Sequence, residues 1–397
     1  MTQPAAPLPR LRVRTAAVGT AFLLNGLSFG VWAARIPAVQ VQTGLDEASL
    51  GFALLGASVG AVLTMSFGGW LGGRLGSHVI TPLTMIGCGA LMPVIGASWN
   101  FTSLLVSLFV FGIFQGTMDV CMNANGLAVE RAGVGPIMSR LHATWSIGAF
   151  TGALISAQVA ALGIAVQPEF AVVGAFLAAS GIVLAWVMLP DRHAVGGGGL
   201  RLPTGRLALL GALALCGLMA EGSATDWSGV YMRRGLEASE GLAALAVATF
   251  SGAMALARLA GDRLTVMLGP ARLVSGGAAL AALGLGLALA VPVPAVAIVG
   301  FGMMGAGLAA VVPTIFRAAG SQPGISSAVG IAAVSTMGYA GGLMGPPLIG
   351  TMARVVTLRG SLTIILVLLA ILALAGRRAL AAHDAPQEDS SRRRSIQ

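Results

Sequence analysis

The sequence predicts an all-α polytopic membrane protein with twelve transmembrane helices in two pseudo-symmetric six-helix bundles. Of its 397 residues, 56% are hydrophobic and only 9% are charged, whereas a soluble domain carries about 25% charged residues. A protein with so few charged residues cannot cover its surface with polar groups in water. We therefore expect its surface to face lipid. A spanning helix needs about 20 apolar residues, and a chain of this length has room for twelve.

The apolar runs place these helices along the chain. Most of the runs are too long and too continuous to be buried strands. They lie roughly at 13–38, 47–72, 79–98, 101–130, 137–163, 168–189, 206–231, 240–261, 271–291, 294–318, 325–350 and 360–380.

One polar break divides the runs into two sets of six. Residues 190–205 are charged and rich in glycine, which is typical of a flexible linker. We therefore predict an N-terminal bundle over 1–189, a cytoplasmic linker over 190–205 and a C-terminal bundle over 206–380. The tail over 381–397 is polar and is predicted to be disordered.

The basic residues predict the orientation of the chain. All 23 are arginine, and they lie mainly at helix ends rather than in a patch between aromatic residues, which argues against a nucleic-acid partner. Positively charged loops favour the cytoplasmic side. With both termini inside an inner (plasma) membrane, 18 arginines are cytoplasmic and five are outside, namely Arg35, Arg233, Arg234, Arg354 and Arg359.

A loop pattern recurs at half the chain length. Residues 68–78 follow the second predicted helix and residues 257–269 follow the eighth, which places Arg74 and Arg263 at equivalent positions 189 residues apart. Such a repeat predicts two duplicated bundles. The interface between two such bundles is where a transporter holds its solute.

These loop residues resemble the major facilitator superfamily, whose motif after helix 2 is Gly-x-x-x-Asp-Arg-x-Gly. The second copy here contains Arg258, Gly261, Asp262 and Arg263, whereas the first has Gly73 at the place of the aspartate. The resemblance covers nearly the whole chain. It implies transport by a rocker-switch motion of the two halves, with Arg74, Asp262 and Arg263 as gating residues, and Gly73 cannot supply the usual lock.

Two further stretches resemble a narrower branch of this superfamily. Residues 221–231 on helix 7 and 118–130 on helix 4 are similar to the YbjJ-like permeases, which are placed near fucose-permease-type sugar symporters. The resemblance implies a proton-coupled transporter of a sugar-like or other polar solute.

Asp119 is the first candidate for proton coupling. It lies near the middle of the predicted helix 4, with Gln115 and Asn123 four residues away on either side, so the three form one polar stripe. Ionisable residues within the membrane usually lie on ion or substrate routes. The alternative is a structural hydrogen bond from a protonated aspartate. The resemblance supports the proton-coupling role, because fucose-type permeases carry an acid on helix 4 for that purpose. They carry a second acid on helix 1, where this chain has Asn25.

Helix 7 supplies two further acids. We predict that Glu221, near the middle of the membrane, faces the cavity and exchanges a proton. Asp226 lies nearer the outer side at a depth similar to that of Arg35 on helix 1, so an Arg35–Asp226 ion pair is predicted to gate the outer side. The alternative is that both side chains extend to the outer interface.

The predicted solute-binding residues are Asn25, Gln115, Asn123 and Trp145. Amide groups and an aromatic face suit a hydroxylated ligand. For tryptophan the alternative is anchoring at the membrane interface.

The remaining motifs limit the function classes. The sequence has no P-loop, no metal-ligand cluster and no catalytic constellation, so we predict neither an enzyme nor a bound cofactor or metal. The expected partners are a small solute, protons and the lipid bilayer, with one chain sufficient as a monomer. Proton-driven efflux of amphipathic compounds and a non-transporting sensor with the same fold are the alternatives.

Overall fold

The computed structural model describes residues 8–135, 137–191, 205–322 and 327–384. Within these ranges every regular element is a helix. Asp384, the last described residue, ends the final helix, and most of the predicted linker and tail lies outside the described residues.

Six helices make up the first half of the chain. The fourth continues for one further turn as a π-helix over Glu130–Val134. The helices are α1 (Leu8–Thr43), α2 (Glu47–Leu75), α3 (Ser77–Gly96), α4 (Phe101–Val129), α5 (Met138–Ala161) and α6 (Val166–Val187).

The helices of the second half differ widely in length. Helix α7 also ends in a π-helical turn, over Tyr231–Gly235. The helices are α7 (Arg206–Val230), α8 (Glu240–Leu268), α9 (Pro270–Ala290), α10 (Pro294–Leu308), α11 (Val311–Gly320) and α12 (Ser327–Asp384).

The described helices supply twelve membrane crossings. Ten stretches are long and apolar enough to cross a bilayer, with α10 and α11 together forming one of them. Another, Val329–Leu380, has 52 residues, or about 78 Å of helix, more than twice the hydrocarbon thickness of about 30 Å. It therefore crosses twice, and its backbone breaks at Thr357, where φ is +78°. Helix α5 adds the remaining crossing, although its many Ser and Thr residues lower its hydropathy.

Small residues bring the helices of the first half together. Helix α1 packs on α5, α2 on α4, and α3 on α6. A Cβ atom built on Gly26 of α1 would overlap the Trp145 carbonyl oxygen, and one on Gly148 of α5 would overlap that of Leu23. Glycine is needed here because the two backbones nearly touch.

The two halves meet mainly along two helix pairs, α5 with α8 and α2 with α12, and α1 also packs on α7 and α8. We call the membrane side with the start of α1 and the α2–α3 turn the linker face, and the opposite side the distal face. Near the distal face a Cβ atom on Gly51 would overlap the Pro346 carbonyl oxygen, and one on Gly350 would overlap that of Glu47. The halves are therefore closed together at the distal face.

Candidate functional site

A buried hydrogen-bond network joins three of the four predicted solute-binding residues. The Asn25 amide donates to Gln115 Oε1 at 2.7 Å, and the Trp145 indole N–H donates to Asn25 Oδ1 at 2.7 Å. The residues come from α1, α4 and α5, so the network spans three helices of the first half. Both functional atoms of the Asn25 amide are used, which fixes its orientation.

The helix packing explains why this network forms. Asn25 and Gly26 are adjacent on α1, and the lack of a Cβ at Gly26 lets the α5 backbone approach until the Trp145 indole reaches the amide. Phe29, one turn further along α1, holds the indole from the side with ring centroids 5.5 Å apart. The indole therefore has one defined position.

The polar stripe on α4 is present, but its members have different partners. Asn123, the fourth predicted solute-binding residue, donates its amide to the backbone oxygen of Asp119 at 2.8 Å and to its carboxylate at 3.2 Å. It does not join the network at Asn25. Asp119 is partly buried and lies within electrostatic range of Tyr339 on α12, so it faces the opposite half.

Glu221 is paired with a residue that the sequence analysis did not assign to the site. Arg258 of α8 donates from Nη2 to Glu221 Oε1 at 3.2 Å and from Nη1 to Ser146 Oγ of α5 at 2.9 Å. Both charged side chains are 23% exposed. Because Ser146 belongs to the first half and the ion pair to the second, Arg258 joins the halves near the middle of the membrane.

A cavity of about 510 Å³ lies on the linker-face side of this pair. Its walls come from α5, α7, α8, α11 and the junction between α10 and α11. Ligand sites occupy about 300–1,000 Å³, so the volume suits a small solute. The polar and ionisable lining residues are Ser139, His142, Glu221, Arg258, Thr265, Thr314 and Arg317.

A second, much smaller cavity lies beside the same ion pair. Its volume is about 20 Å³, which is room for about one water molecule. Phe29, Trp145 and Thr225 line it together with Glu221 and Arg258. The ion pair therefore stands between the large cavity and the indole of the buried network.

The predicted Arg35–Asp226 ion pair is wrong in this structure. Arg35 is 1% exposed, and its Nε lies 2.8 Å from Glu169 Oε2 of α6. Its Nη1 lies 3.0 Å from Glu240 Oε2 of α8, and Nη2 donates to the Ile164 carbonyl. Arg35 does bridge the halves at the distal side, but through Glu240.

The depth of the two residues does not explain the error. Arg35 lies eight residues before the end of α1 at Thr43, about 12 Å at 1.5 Å per residue, and Asp226 lies nine residues before the end of the π-helical turn at Gly235, so the difference is the direction in which Arg35 faces. At that depth Arg35 meets the first turns of α6 and α8, which carry Glu169 and Glu240. Asp226 is partly buried on α7.

A second ion pair crosses the halves at the distal face. Arg354 of α12 donates from Nε to Asp46 Oδ2 at 2.7 Å, and Asp46 also caps the start of α2 by accepting from Ser49 N at 2.9 Å. Hydrogen bonds from Ser49 hold the pKa of the Asp46 carboxyl below its usual value, and Arg354 acts in the same direction. The pair is therefore charged at neutral pH and is lost only as the pH falls through this lowered pKa.

Among the described side chains of the repeated loops, Arg74 and Arg263 make no such contact between the halves. Arg74 is exposed, and its guanidinium lies 5.5 Å from the ring centroid of Trp70 on the same helix. Arg263 is exposed near the end of α8. The side chain of Asp262 lies outside the described residues, so the gating roles of all three stay predictions.

A buried carboxylate supports the α2–α3 turn, where Gly73 replaces the usual aspartate. Asp191, placed by the sequence analysis in the linker, accepts from Ser77 Oγ at 2.7 Å and from the His78 backbone N–H at 3.1 Å. The Asn125 amide of α4 donates to the Leu189 carbonyl nearby at 2.9 Å. Asp191 thus stabilises the N-terminus of α3 and ties α3, α4 and the end of α6 together.

The described residues hold no group of three or more His, Cys, Asp or Glu side chains that could bind a metal ion. The chemistry of this site consists of hydrogen bonds, ion pairs and an aromatic face.

Known proteins with similar sequences identify the family. No family model matches the chain. The transporter y4wD of Sinorhizobium fredii is 33% identical over 346 residues, which cover 86% of this chain and 92% of the relative. An MFS-type transporter of Yersinia pestis is 31% identical over 366 residues, which cover 90% of this chain and 93% of the relative. The chain belongs to the major facilitator superfamily.

A solved structure of this superfamily has the same fold. A crystal structure of the nucleoside transporter NupG superposes with a TM-score of 0.76 and 12% identity, covering 92% of this chain and 99% of that chain. This confirms the predicted all-α polytopic fold of the superfamily.

Three residues of the ion pairs, Arg258, Glu169 and Glu240, were not predicted as site residues. The sequence indicates only the first of them. Arg258 lies within the apolar run 240–261, where an ionisable residue is itself a functional hypothesis, although it also belongs to the loop motif. Glu169 and Glu240 gave no such signal because each lies at the start of a helix, where an acid is common.

Proposed function

We propose that the protein is a secondary active transporter that moves a small polar solute by alternating access, coupled to protons. The observation that carries this proposal is the 510 Å³ cavity between the halves, on the linker-face side of the Arg258–Glu221 pair. The distal face is closed by the contacts of Arg35 and Arg354. A cavity accessible from one side beneath a closed opposite side is the geometry of one end state of such a cycle.

The linker face is the cytoplasmic face in this proposal. The excess of arginine in the even-numbered loops and both tails supports this orientation, with both termini inside the plasma membrane. The described state is then inward-facing, and a single chain contains the whole cavity.

The solute class proposed is a hydroxylated, sugar-like metabolite. The amides of Asn25 and Gln115 lie beside the Trp145 indole, and this combination offers hydrogen bonds and an aromatic face at one place. The resemblance to YbjJ-like permeases supports the same class. Because Asn25 and Trp145 are bonded to each other in the inward-facing state, the solute replaces this bond when it reaches them.

Glu221 and Asp119 are the proposed proton carriers. Each is partly buried within the membrane, where neutralising a carboxylate lowers the cost of an occluded state. Glu221 contacts Arg258, whereas Asp119 contacts Asn123 and faces Tyr339.

Reconstituted protein in liposomes tests this function. Thermal stabilisation across sugars, polyols, sugar acids and amino sugars first identifies a solute, since a ligand of the folded state raises its stability. If one proton is transported with each solute molecule, a pH gradient of one unit supports accumulation of the solute inside the liposomes by up to about tenfold. We expect Asp119→Asn or Glu221→Gln to abolish this accumulation and to retain solute exchange.

The exposed Glu237 provides the control, because Glu237→Gln removes an acid away from the cavity and is expected to leave accumulation unchanged. If both acid variants accumulate solute like the wild type, the proton role is lost. If the wild type moves none of the solutes that stabilise it, the transport proposal itself fails.

A further inference from the structure

The Arg258 guanidinium stands at the inner end of the large cavity. It lines this cavity and also the small cavity beside Trp145. A solute that enters from the linker face therefore meets Arg258 and Glu221 before it reaches the buried network. The chemistry of this pair decides which solutes pass.

The ionisable groups around the large cavity are mostly basic. Of the four described ones, His142, Arg258 and Arg317 are basic residues and Glu221 is the acid. Counting only the two arginines and Glu221, the lining carries one net positive charge. Cations gathered in a recess with low-dielectric walls attract anions into it.

The Arg258 guanidinium has donors available for an incoming anion. Arginine carries five N–H donors, and the described bonds of Arg258 go to Ser146 Oγ and to Glu221 Oε1. The Glu221 contact, at 3.2 Å through a single oxygen, is longer than the 2.7–2.9 Å typical of a charge-assisted bond. A carboxylate or phosphate that binds the guanidinium through two oxygens offers a better geometry than Glu221 does.

We propose that this cavity is an anion site, and that a carboxylate or phosphate group of the transported solute replaces Glu221 on Arg258. The proposal rests on the proposed function and narrows its solute to a hydroxylated anion such as a sugar acid or sugar phosphate. Glu221, released from Arg258, accepts one proton from water in the cavity. The single negative charge of a carboxylate, or of a singly ionised phosphate, and the added proton balance, so the loaded site keeps the net charge of the empty one. A doubly ionised phosphate would leave one further negative charge.

Charged thiol reagents test the anion site without knowledge of the natural solute. Ala143 lines the large cavity on α5, and Ala143→Cys is made in a variant in which the buried Cys88, Cys121 and Cys216 are replaced by alanine. The rate of modification is measured with an anionic sulfonate methanethiosulfonate and with its cationic trimethylammonium counterpart. Their ratio is divided by the same ratio for a free thiol in solution.

We expect this normalised ratio to favour the anionic reagent by at least about threefold. Arg258→Gln should lower the ratio about tenfold, the effect of one unit charge at several ångströms in a partly screened cavity. Glu221→Gln should raise it, because the arginine loses its counter-charge. Arg258→Lys keeps the charge and should keep the ratio, which separates the charge effect from misfolding.

A normalised ratio of one or less in the parent, or a ratio unchanged by Arg258→Gln, would overturn the anion site. The result is independent of transport. If the ratio behaves as expected while liposomes show no flux, the anion site stands and the proposed function fails. If a neutral sugar is accumulated while the ratio is one, the function stands and the anion site fails.

Discussion

Replacing Arg35 with glutamine is expected to destabilise the folded protein by about 3–5 kcal/mol, the cost of removing one partner of a buried ion pair. Glu169 is 2% exposed, and without the guanidinium its carboxylate keeps only the hydrogen bond from Ser156 Oγ at 2.5 Å. The Ile164 carbonyl and Glu240 lose their partner as well. Thermal unfolding of the purified variant in detergent measures the effect as a lowered melting temperature.

Arg354 provides the matched control at the same face. The Arg354→Gln variant breaks an ion pair whose side chains are 55% and 45% exposed, and such pairs contribute about 0–1 kcal/mol. Adding Glu169→Gln to Arg35→Gln should restore part of the lost stability, because the unpaired charge is removed. Equal melting temperatures for the two single arginine variants would contradict the structural role given to Arg35.

A single methyl group at Gly26 is expected to reduce solute transport at least tenfold. In Gly26→Ala the new Cβ atom falls on the Trp145 carbonyl oxygen, so α5 must move away from α1. The Asn25 amide and the Trp145 indole, now 2.7 Å apart, then lose the spacing at which one solute can bind both, and the loss of about 1.4 kcal/mol of solute binding corresponds to tenfold. Overpacking of this kind also costs about 1–3 kcal/mol of stability.

Gly222 on α7 provides the control, since no atom lies within 4 Å of the position its Cβ would take. Gly222→Ala should leave both melting temperature and initial uptake rate near those of the wild type. The measurements are the uptake rate in liposomes and the apparent dissociation constant of the solute found by thermal stabilisation. A Gly26→Ala variant with wild-type affinity would show that the Asn25–Trp145 geometry does not matter for binding.

Many helix positions could be predicted from the sequence because a bilayer imposes a simple rule. The apolar runs 137–163 and 271–291 correspond to α5 (Met138–Ala161) and α9 (Pro270–Ala290) within two residues. A spanning segment must satisfy its own backbone hydrogen bonds, so a long apolar run becomes a helix whatever it packs against.

One break within a predicted run depends on packing and was not predicted. The run 294–318 divides between α10 and α11 at Ala309 and Ala310, two residues that do not usually end a helix. Ala309 is buried, so tertiary contacts override local preference there. The break at the exposed Thr357 lies within the predicted gap between the runs 325–350 and 360–380.

The candidate site was predictable where one helix determines the geometry. Spacing by four residues placed Gln115, Asp119 and Asn123 on one face of α4. Partners on different helices could not be assigned in this way, because they depend on depth and rotation, and Arg35 was therefore given the wrong partner. The bond between Arg258 and Ser146 joins helices from different halves, which no local pattern reveals.

Distances between spin labels on the two halves test alternating access most directly. One label pair joins Ala161 of α5 to Leu242 of α8 at the distal face, and a second joins Ser139 to Met267 at the linker face; all four residues are exposed. The proposed cycle predicts a second population of molecules, in which the distal distance is longer and the linker-face distance is shorter. Bound solute and the Arg35→Gln substitution should each increase the fraction of molecules in this population. A single distance at each face under all these conditions would contradict the proposed cycle.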